Sequence, residues 1–374
     1  MDDWADRLEQ LFAQGQLQEG RELAREILAE AADQHSAAVA RFHLARIAIR
    51  LHDVETGLED VRRARAILEA TPNEPLVVEC LDWEAAALHL MESPAALSTA
   101  RDALRRCLRL VPPAPATEAR ILGRIGAIAL SHHDWKSAIW YYEAATQRLE
   151  PVHDIRLLAH MCNDLSVAYL ELGLHERAIH YARRGLALHR MVDEGPAVAR
   201  ITNNLGLALL RHGRLPEAEP LLRRSLRLCR RLRLTAGLSH VLLSLGELEF
   251  RRERWREAAA LFSEAADEAT AAAEPLTHAA AQQWLALVNE VGGDQDEADR
   301  GFRVAIRELT GHGTGDRLRE CRANYALLLE RRGDVASAVQ HWKEVARDRR
   351  AVPAGLGDLL PRPEPLTPRH SQPG

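Results

Sequence analysis

Lysine is almost absent from this chain, because Lys136 and Lys343 are the only two and arginine supplies nearly all of the 49 basic residues. That bias is typical of GC-rich bacterial genomes. The 54 acidic residues leave a net charge of −5, which does not favour a protein that binds nucleic acid through a strongly basic surface. Aromatic residues make up only 5% of the chain, and no run of β-branched residues predicts a sheet.

Long apolar segments are absent as well. No stretch is apolar and charge-free over the length that a bilayer requires, and the first residues, MDDWADRLEQLF, lack the basic and apolar segments of a signal peptide. We therefore expect a cytoplasmic protein without a membrane partner. Paired cysteine spacing is also missing, so we expect reduced thiols and neither a metal site nor any other cofactor. The five cysteines are Cys80, Cys107, Cys162, Cys229 and Cys321.

The chain does contain an internal repeat, because six stretches superimpose when each is moved by forty residues. A small residue marks one register, at Gly126, Ser166, Gly206, Gly246, Ala286 and Ala326. An alanine follows twelve residues later, at Ala138, Ala178, Ala218, Ala258, Ala298 and Ala338. Two antiparallel helices approach closely only where neither carries a bulky side chain, so each stretch is predicted to be a helical hairpin.

The turn within each hairpin is marked by glycine in four of the six repeats. Gly173, Gly213, Gly293 and Gly333 stand seven residues after the small residue, where a positive φ would end the first helix. His133 and Glu253 take that place in the other two repeats, so their turns are less clearly specified.

The run NNLGLALLRHGRLPEAEPLLRRSL resembles a tetratricopeptide repeat, with Gly206, Gly213 and Ala218 at its signature places. The usual period is about 34 residues. The forty-residue period is similar to the longer-helix variants in kinesin light chains and in the sensor domains of bacterial regulators. The resemblance implies an all-α solenoid, a right-handed superhelix of about nine helical hairpins.

This solenoid is predicted to span residues 1–350, with the best repeats in 119–350 and weaker copies in 1–118. The segment from Cys80 to Leu110 is helical in pattern, but its register is ambiguous. Residues 351–374 carry six prolines, which cannot continue a helix, so we expect a disordered tail.

The resemblance also implies where a ligand would bind, because inward positions of the first helices line a concave groove in such proteins. Asparagine suits this place, since its amide both donates to and accepts from a peptide backbone. The alternative is that an asparagine on a helix only caps or faces solvent. Trp284 is predicted to be an exposed aromatic anchor. The candidate ligand-binding residues are Arg120, Arg124, His160, Asn163, Arg200, Asn203, Asn204, His240 and Trp284.

Other functions have weaker support in the sequence. Three arginine pairs share one register on the second helices, but stacking aromatics are missing, so direct nucleic-acid binding is not expected. No catalytic or metal-binding constellation is found, and we expect no enzyme. The sequence favours a bacterial regulatory scaffold or adaptor that binds a protein or peptide segment. The alternative is a sensor of an oligopeptide or small effector that modulates a transcription regulator or kinase; the oligomeric state stays open.

Overall fold

The computed structural model describes residues 3–149, 154–192, 195–235, 237–311 and 315–347. Within these residues the chain forms eighteen helices and no strand. The helices are α1 (Asp3–Ala13), α2 (Leu17–Glu30), α3 (Gln34–Arg50), α4 (Val54–Leu68), α5 (Glu74–Leu90), α6 (Ala95–Cys107), α7 (Pro115–Ser131), α8 (Trp135–Leu149), α9 (Ile155–Glu171), α10 (His175–Met191), α11 (Gly195–Arg211), α12 (Leu215–Leu232), α13 (Leu238–Arg251), α14 (Trp255–Ala271), α15 (Pro275–Gly292), α16 (Gln295–Gly311), α17 (Gly315–Arg332) and α18 (Val335–Arg347).

The helices form nine consecutive hairpins, which confirms the predicted all-α array. The chain divides into two compact units, Met1–Leu228 and Cys229–Gly374, which we call unit 1 and unit 2. One continuous solenoid over residues 1–350 stays a prediction, and the proline-rich residues 351–374 lie outside the described residues. Among the described helices, none is both long enough and apolar enough to cross a membrane.

The small residues of the repeat lie where the two helices of a hairpin cross. In unit 1, a Cβ added to Gly206 would stand 2.6 Å from the Leu222 side chain. In unit 2, a Cβ on Gly246 would stand 2.4 Å from the Phe262 ring. Both distances are far below van der Waals contact, so the close crossing predicted from the sequence is confirmed.

The turns follow one hydrogen-bond pattern whether or not glycine is present. Gly213 has φ +85°, its N–H donates to Leu210 and the next N–H donates to Leu209, which is a Schellman motif. His133 and Glu253 adopt the same left-handed conformation, with φ 58° and 60°, and make the equivalent bonds. The two turns that the sequence left unspecified are therefore built like the glycine turns, at the cost of a strained backbone.

Helix α5 has no polar stripe, which explains why its register was ambiguous. Every residue from Val77 to Leu88 is buried except Glu79, so polar and apolar residues do not alternate with a helical period. The buried carboxylate of Glu84 accepts a hydrogen bond from Arg62 of α4, and that of Asp82 pairs with α7. The two buried acidic residues of α5 are therefore paired with neighbouring helices and do not form a solvent-facing side.

An arginine fills the inner side of the first three hairpins. Arg46 of α3 is 7% exposed, bonds both carboxylate oxygens of Glu9 on α1, and lies 4.1 Å from the centre of the Phe12 ring. The Trp83 ring of α5 completes the cluster, edge-on to Phe12 at 5.7 Å. Because α1, α3 and α5 contact each other through these side chains, no open surface is left between these three helices.

Candidate functional site

Three neighbouring helices of unit 1, α7, α9 and α11, each leave only one stripe of side chains outside the core. Over 119–129, 159–170 and 197–210, three residues per helix are partly or fully exposed, and the sets repeat every forty residues. Helix α9 contacts both α7 and α11, so the three stripes lie side by side. We call this surface the inner face; its residues are Arg120, Arg124, Ala127, His160, Asp164, Val167, Arg200, Asn204 and Leu207.

The two arginines of α7 are paired with acidic side chains of α5. The fully buried carboxylate of Asp82 accepts hydrogen bonds from Arg120 at 2.9 Å and from Arg124 at 2.6 Å, and Arg120 also binds Glu79 at 3.1 Å. Burial alone would raise the pKa of Asp82, but the two guanidinium groups hold it below its usual value. A ligand carboxylate would therefore compete with Asp82 for both arginines.

The predicted asparagines form a hydrogen-bonded link between α9 and α11. The Asn204 amide nitrogen donates to the Asn163 amide oxygen at 3.0 Å, and Asn163 donates in turn to Asp164 at 3.0 Å. Asn163 is only 3% exposed and Asn203 only 5% exposed. Both therefore lie beneath the inner face, and Asn204 is the asparagine that lies on it.

Counting the small residue of each repeat as position eight, position five is buried on α7, α9 and α11 because it points at the neighbouring first helix. Gly123 holds this position on α7, and a Cβ there would stand 2.2 Å from the terminal methyl carbon of Met161 on α9. Asn203 holds it on α11, where its amide oxygen is buried and has no hydrogen-bond partner among the described residues. On these three helices the position therefore does not lie at the surface of the predicted groove, because the first helices approach each other closely.

Arg200 is the free cation of the inner face. It is exposed and, within the described residues, has no ion-pair partner. His160, at the same place on α9, lies with its ring centre 5.0 Å from that of the buried His189. The inner face therefore presents an unpaired positive charge on α11, beside the partly exposed amide of Asn204.

The two remaining candidates belong to unit 2. The ring of Trp284 on α15 stacks on Phe262 at 5.4 Å and meets Phe250 edge-on at 5.2 Å. It is half-buried by these aromatic contacts, and so less exposed than the sequence suggested. His240 on α13 is exposed, and its ring nitrogen lies 3.3 Å from the Thr277 hydroxyl. A ligand role for these two residues stays a prediction.

The arginine pairs of the second helices are largely engaged in ion pairs. Arg62 binds Glu84 at 2.8 Å, Arg63 binds Glu59, and Arg223 binds Glu219 at 2.8 Å. Within the described part of the chain, no group of three histidine, cysteine or acidic side chains could hold a metal ion. None of the described cysteines forms a disulfide and all are buried, and burial raises the pKa of Cys80 and Cys321 to about 12.

Two parts of the site were not singled out from the sequence. The apolar residues Ala127, Val167 and Leu207 occupy position nine of their repeats, and the forty-residue spacing would have identified them. Asp82 gave a weaker signal, because it lies in a segment whose repeat register is ambiguous and so has no clear repeat partner.

A family model described as tetratricopeptide repeat matches residues 157–231 and 197–267. Residues 157–267 of the chain therefore consist of tetratricopeptide repeats. The matched segments contain α11 and all but the first two residues of α9, so two of the three inner-face helices belong to tetratricopeptide repeats. No curated protein sequence matches this chain.

Solved structures share the fold of this chain at low identity. The apo form of RapI is 12% identical, with a TM-score of 0.68 over 93% of this chain and 96% of RapI. A Rap protein complexed with competence and sporulation factor is 14% identical, with a TM-score of 0.63 over 84% and 98% of the two chains. The Rap conjugation gene regulator of plasmid pLS20, in complex with the Phr* peptide, is 15% identical, with a TM-score of 0.54 over 82% and 93%.

Proposed function

We propose that this tetratricopeptide-repeat chain is a regulatory adaptor that binds a peptide segment on the inner face of α7, α9 and α11. The observation that carries the proposal is the composition of that face. It places a free guanidinium, a side-chain amide and apolar side chains next to each other on three packed helices. A peptide offers the matching groups, namely carboxylates, backbone amides and apolar side chains.

The packing of unit 1 supports this location. Arg46, Phe12 and Trp83 fill the inner side of the first three hairpins, so the open surface begins at α7. Two of the structurally similar proteins are described as complexes, one with competence and sporulation factor and one with the Phr* peptide. These likenesses favour a peptide over other ligands, and a role in regulation over a purely structural one.

The test is a selection from a random dodecapeptide library displayed on mRNA, with the immobilised full-length chain as bait. Peptides enriched by the wild type are resynthesised, and their affinities are measured by fluorescence anisotropy. The site variant carries Arg200→Gln and Asn204→Ala. The matched control is Arg190→Gln, because Arg190 is also an exposed arginine of unit 1 but lies on the second helix α10.

We expect the enriched peptides to bind the wild type and the control equally, and to bind the site variant at least about tenfold more weakly, a loss of about 1.4 kcal/mol. Circular dichroism confirms that both variants keep the helical fold. Failure to enrich any peptide, or equal binding to the site variant, would contradict the proposal.

A further inference from the structure

An apolar strip crosses the inner face one helical turn beyond its polar row. Ala127, Val167 and Leu207 are each partly exposed and occupy the same place on α7, α9 and α11. Each stands three residues after a polar member of the face, and residues three apart lie on the same side of a helix. The polar members are Arg124, Asp164 and Asn204.

The spacing of this strip is set by the helices that carry it. Packed helices have axes about 8–10 Å apart, so the strip offers one apolar contact at about that interval. A polyproline II peptide has three residues per turn and a rise of about 3.1 Å, so it returns a side chain to one side every 9.3 Å or so. A β-strand does so about every 6.7 Å, which falls out of step with the helices.

We infer that the inner face binds a peptide in the polyproline II conformation that carries an apolar side chain at every third residue. The inference rests on the proposed function and specifies its ligand. Such a peptide runs across the three helices, with one apolar side chain on each of Ala127, Val167 and Leu207.

The polar row next to the strip fits the backbone of this ligand. A polyproline II backbone makes no internal hydrogen bonds, so its N–H and C=O groups need partners. Asn204 uses one amide hydrogen to bond Asn163, and its second amide hydrogen and its oxygen remain available. Asp164 on α9 accepts from Asn163 through one oxygen and so orients the amide that bonds Asn204.

The free guanidinium defines one side of the ligand. Arg200 stands seven residues before Leu207 on the same stripe of α11, about 10.5 Å away along the helix. A peptide side chain that leaves the strip in this direction meets an unpaired positive charge. An acidic residue two or three places from an apolar one therefore completes the recognised pattern.

The experiment compares two fluorescein-labelled nonapeptides of identical composition, each with three leucines, three prolines and three serines. In the first, leucine recurs at every third residue; in the second, at every second residue from the amino end. Anisotropy titration with the full-length chain is expected to show about tenfold tighter binding of the first peptide. Equal affinity, tighter binding of the second, or no binding of either at millimolar concentration would overturn the inference.

Two variants locate the binding site. Leu207→Gln is expected to abolish the preference for the first peptide. Leu174→Gln removes an exposed leucine in the turn after α9 and is expected to leave the preference unchanged. A preference that survives Leu207→Gln would place the peptide elsewhere and overturn the inference.

The library selection separates this inference from the proposed function. Enriched peptides without a three-residue apolar period would leave peptide binding established and the polyproline II ligand rejected. Failure to enrich any peptide would reject both.

Discussion

The side-chain amide of Asn204 donates to that of Asn163 across 41 residues of sequence, and this single bond links two neighbouring first helices. One partner is buried and the other lies at the surface. The bond therefore couples the inner face to the packing beneath it. A substitution at the face can change the stability of the core.

A double-mutant cycle measures this coupling. We expect Asn163→Ala and Asn204→Ala each to lower the free energy of unfolding in urea, with an interaction term of about 1 kcal/mol, because either change leaves the other amide without its partner. The matched single change is Arg200→Gln, which removes a face side chain that makes no hydrogen bond to any described residue and should alter stability little. Strictly additive losses would show that the bond does not stabilise the fold.

A buried histidine should make the stability of unit 1 depend on pH. His43 is 4% exposed, and burial, reinforced by the charge of Arg46, lowers its pKa from 6.5 to about 4. Between these values the unfolded chain binds a proton that the folded chain does not bind. The free energy of unfolding should therefore fall by about 3 kcal/mol as the pH is lowered from 6.5 to about 4.

The measurement is urea unfolding across this pH range for wild type, His43→Gln and His35→Gln. We expect His43→Gln to flatten the profile, whatever its effect at neutral pH. His35 is exposed, so its replacement should leave the profile unchanged. Parallel profiles for wild type and His43→Gln would be evidence against the assignment.

Adding a single methyl group at the crossing of α13 and α14 should destabilise unit 2. Gly246→Ala places a Cβ 2.4 Å from the Phe262 ring, and we expect it to destabilise unit 2 by about 1–3 kcal/mol. Gly292→Ala serves as the control, because a Cβ at this helical glycine meets nothing within 4 Å. Thermal unfolding followed by circular dichroism distinguishes them, and similar melting temperatures would refute the close crossing.

Replacing the positive-φ residue by glycine in two strained turns should raise the stability of the protein. Glu253 and Ala273 hold φ angles of 60° and 54°, and we expect Glu253→Gly and Ala273→Gly each to raise stability by about 0.5–1 kcal/mol. The reciprocal change Gly293→Ala, at φ +83°, should lower it. Differential scanning calorimetry gives the sign, and a lower melting temperature for both glycine variants would contradict a relief of strain.

The sequence predicted the hairpins well because their determinants are local and repeated. Gly213 and Gly246 are required by a turn and by a helix crossing, and each recurs at a fixed interval. The site was harder to predict, because exposure depends on how closely neighbouring first helices pack. Asn163 and Asn203 have the residue type of a ligand contact, yet their burial follows from contacts across repeats that no single repeat encodes.

The net charge of the inner face could not be predicted from the sequence either. Arg120 and Arg124 suggested a basic surface, but Asp82 lies in the one hairpin whose register the sequence left ambiguous. Trp284 shows the same limit in unit 2, since its partners Phe250 and Phe262 come from the preceding hairpin.

The separation between exposed and buried positions on α7, α9 and α11 has an evolutionary consequence. Most positions that hold the hairpins together lie in the core, while positions two, six and nine of these helices are partly or fully exposed. If the inner face binds a peptide as proposed, descendants of this chain can exchange Arg200, Val167 or Leu207 and acquire new peptide preferences while the array continues to fold. Divergence of binding partners among such proteins should concentrate at these three places in each repeat.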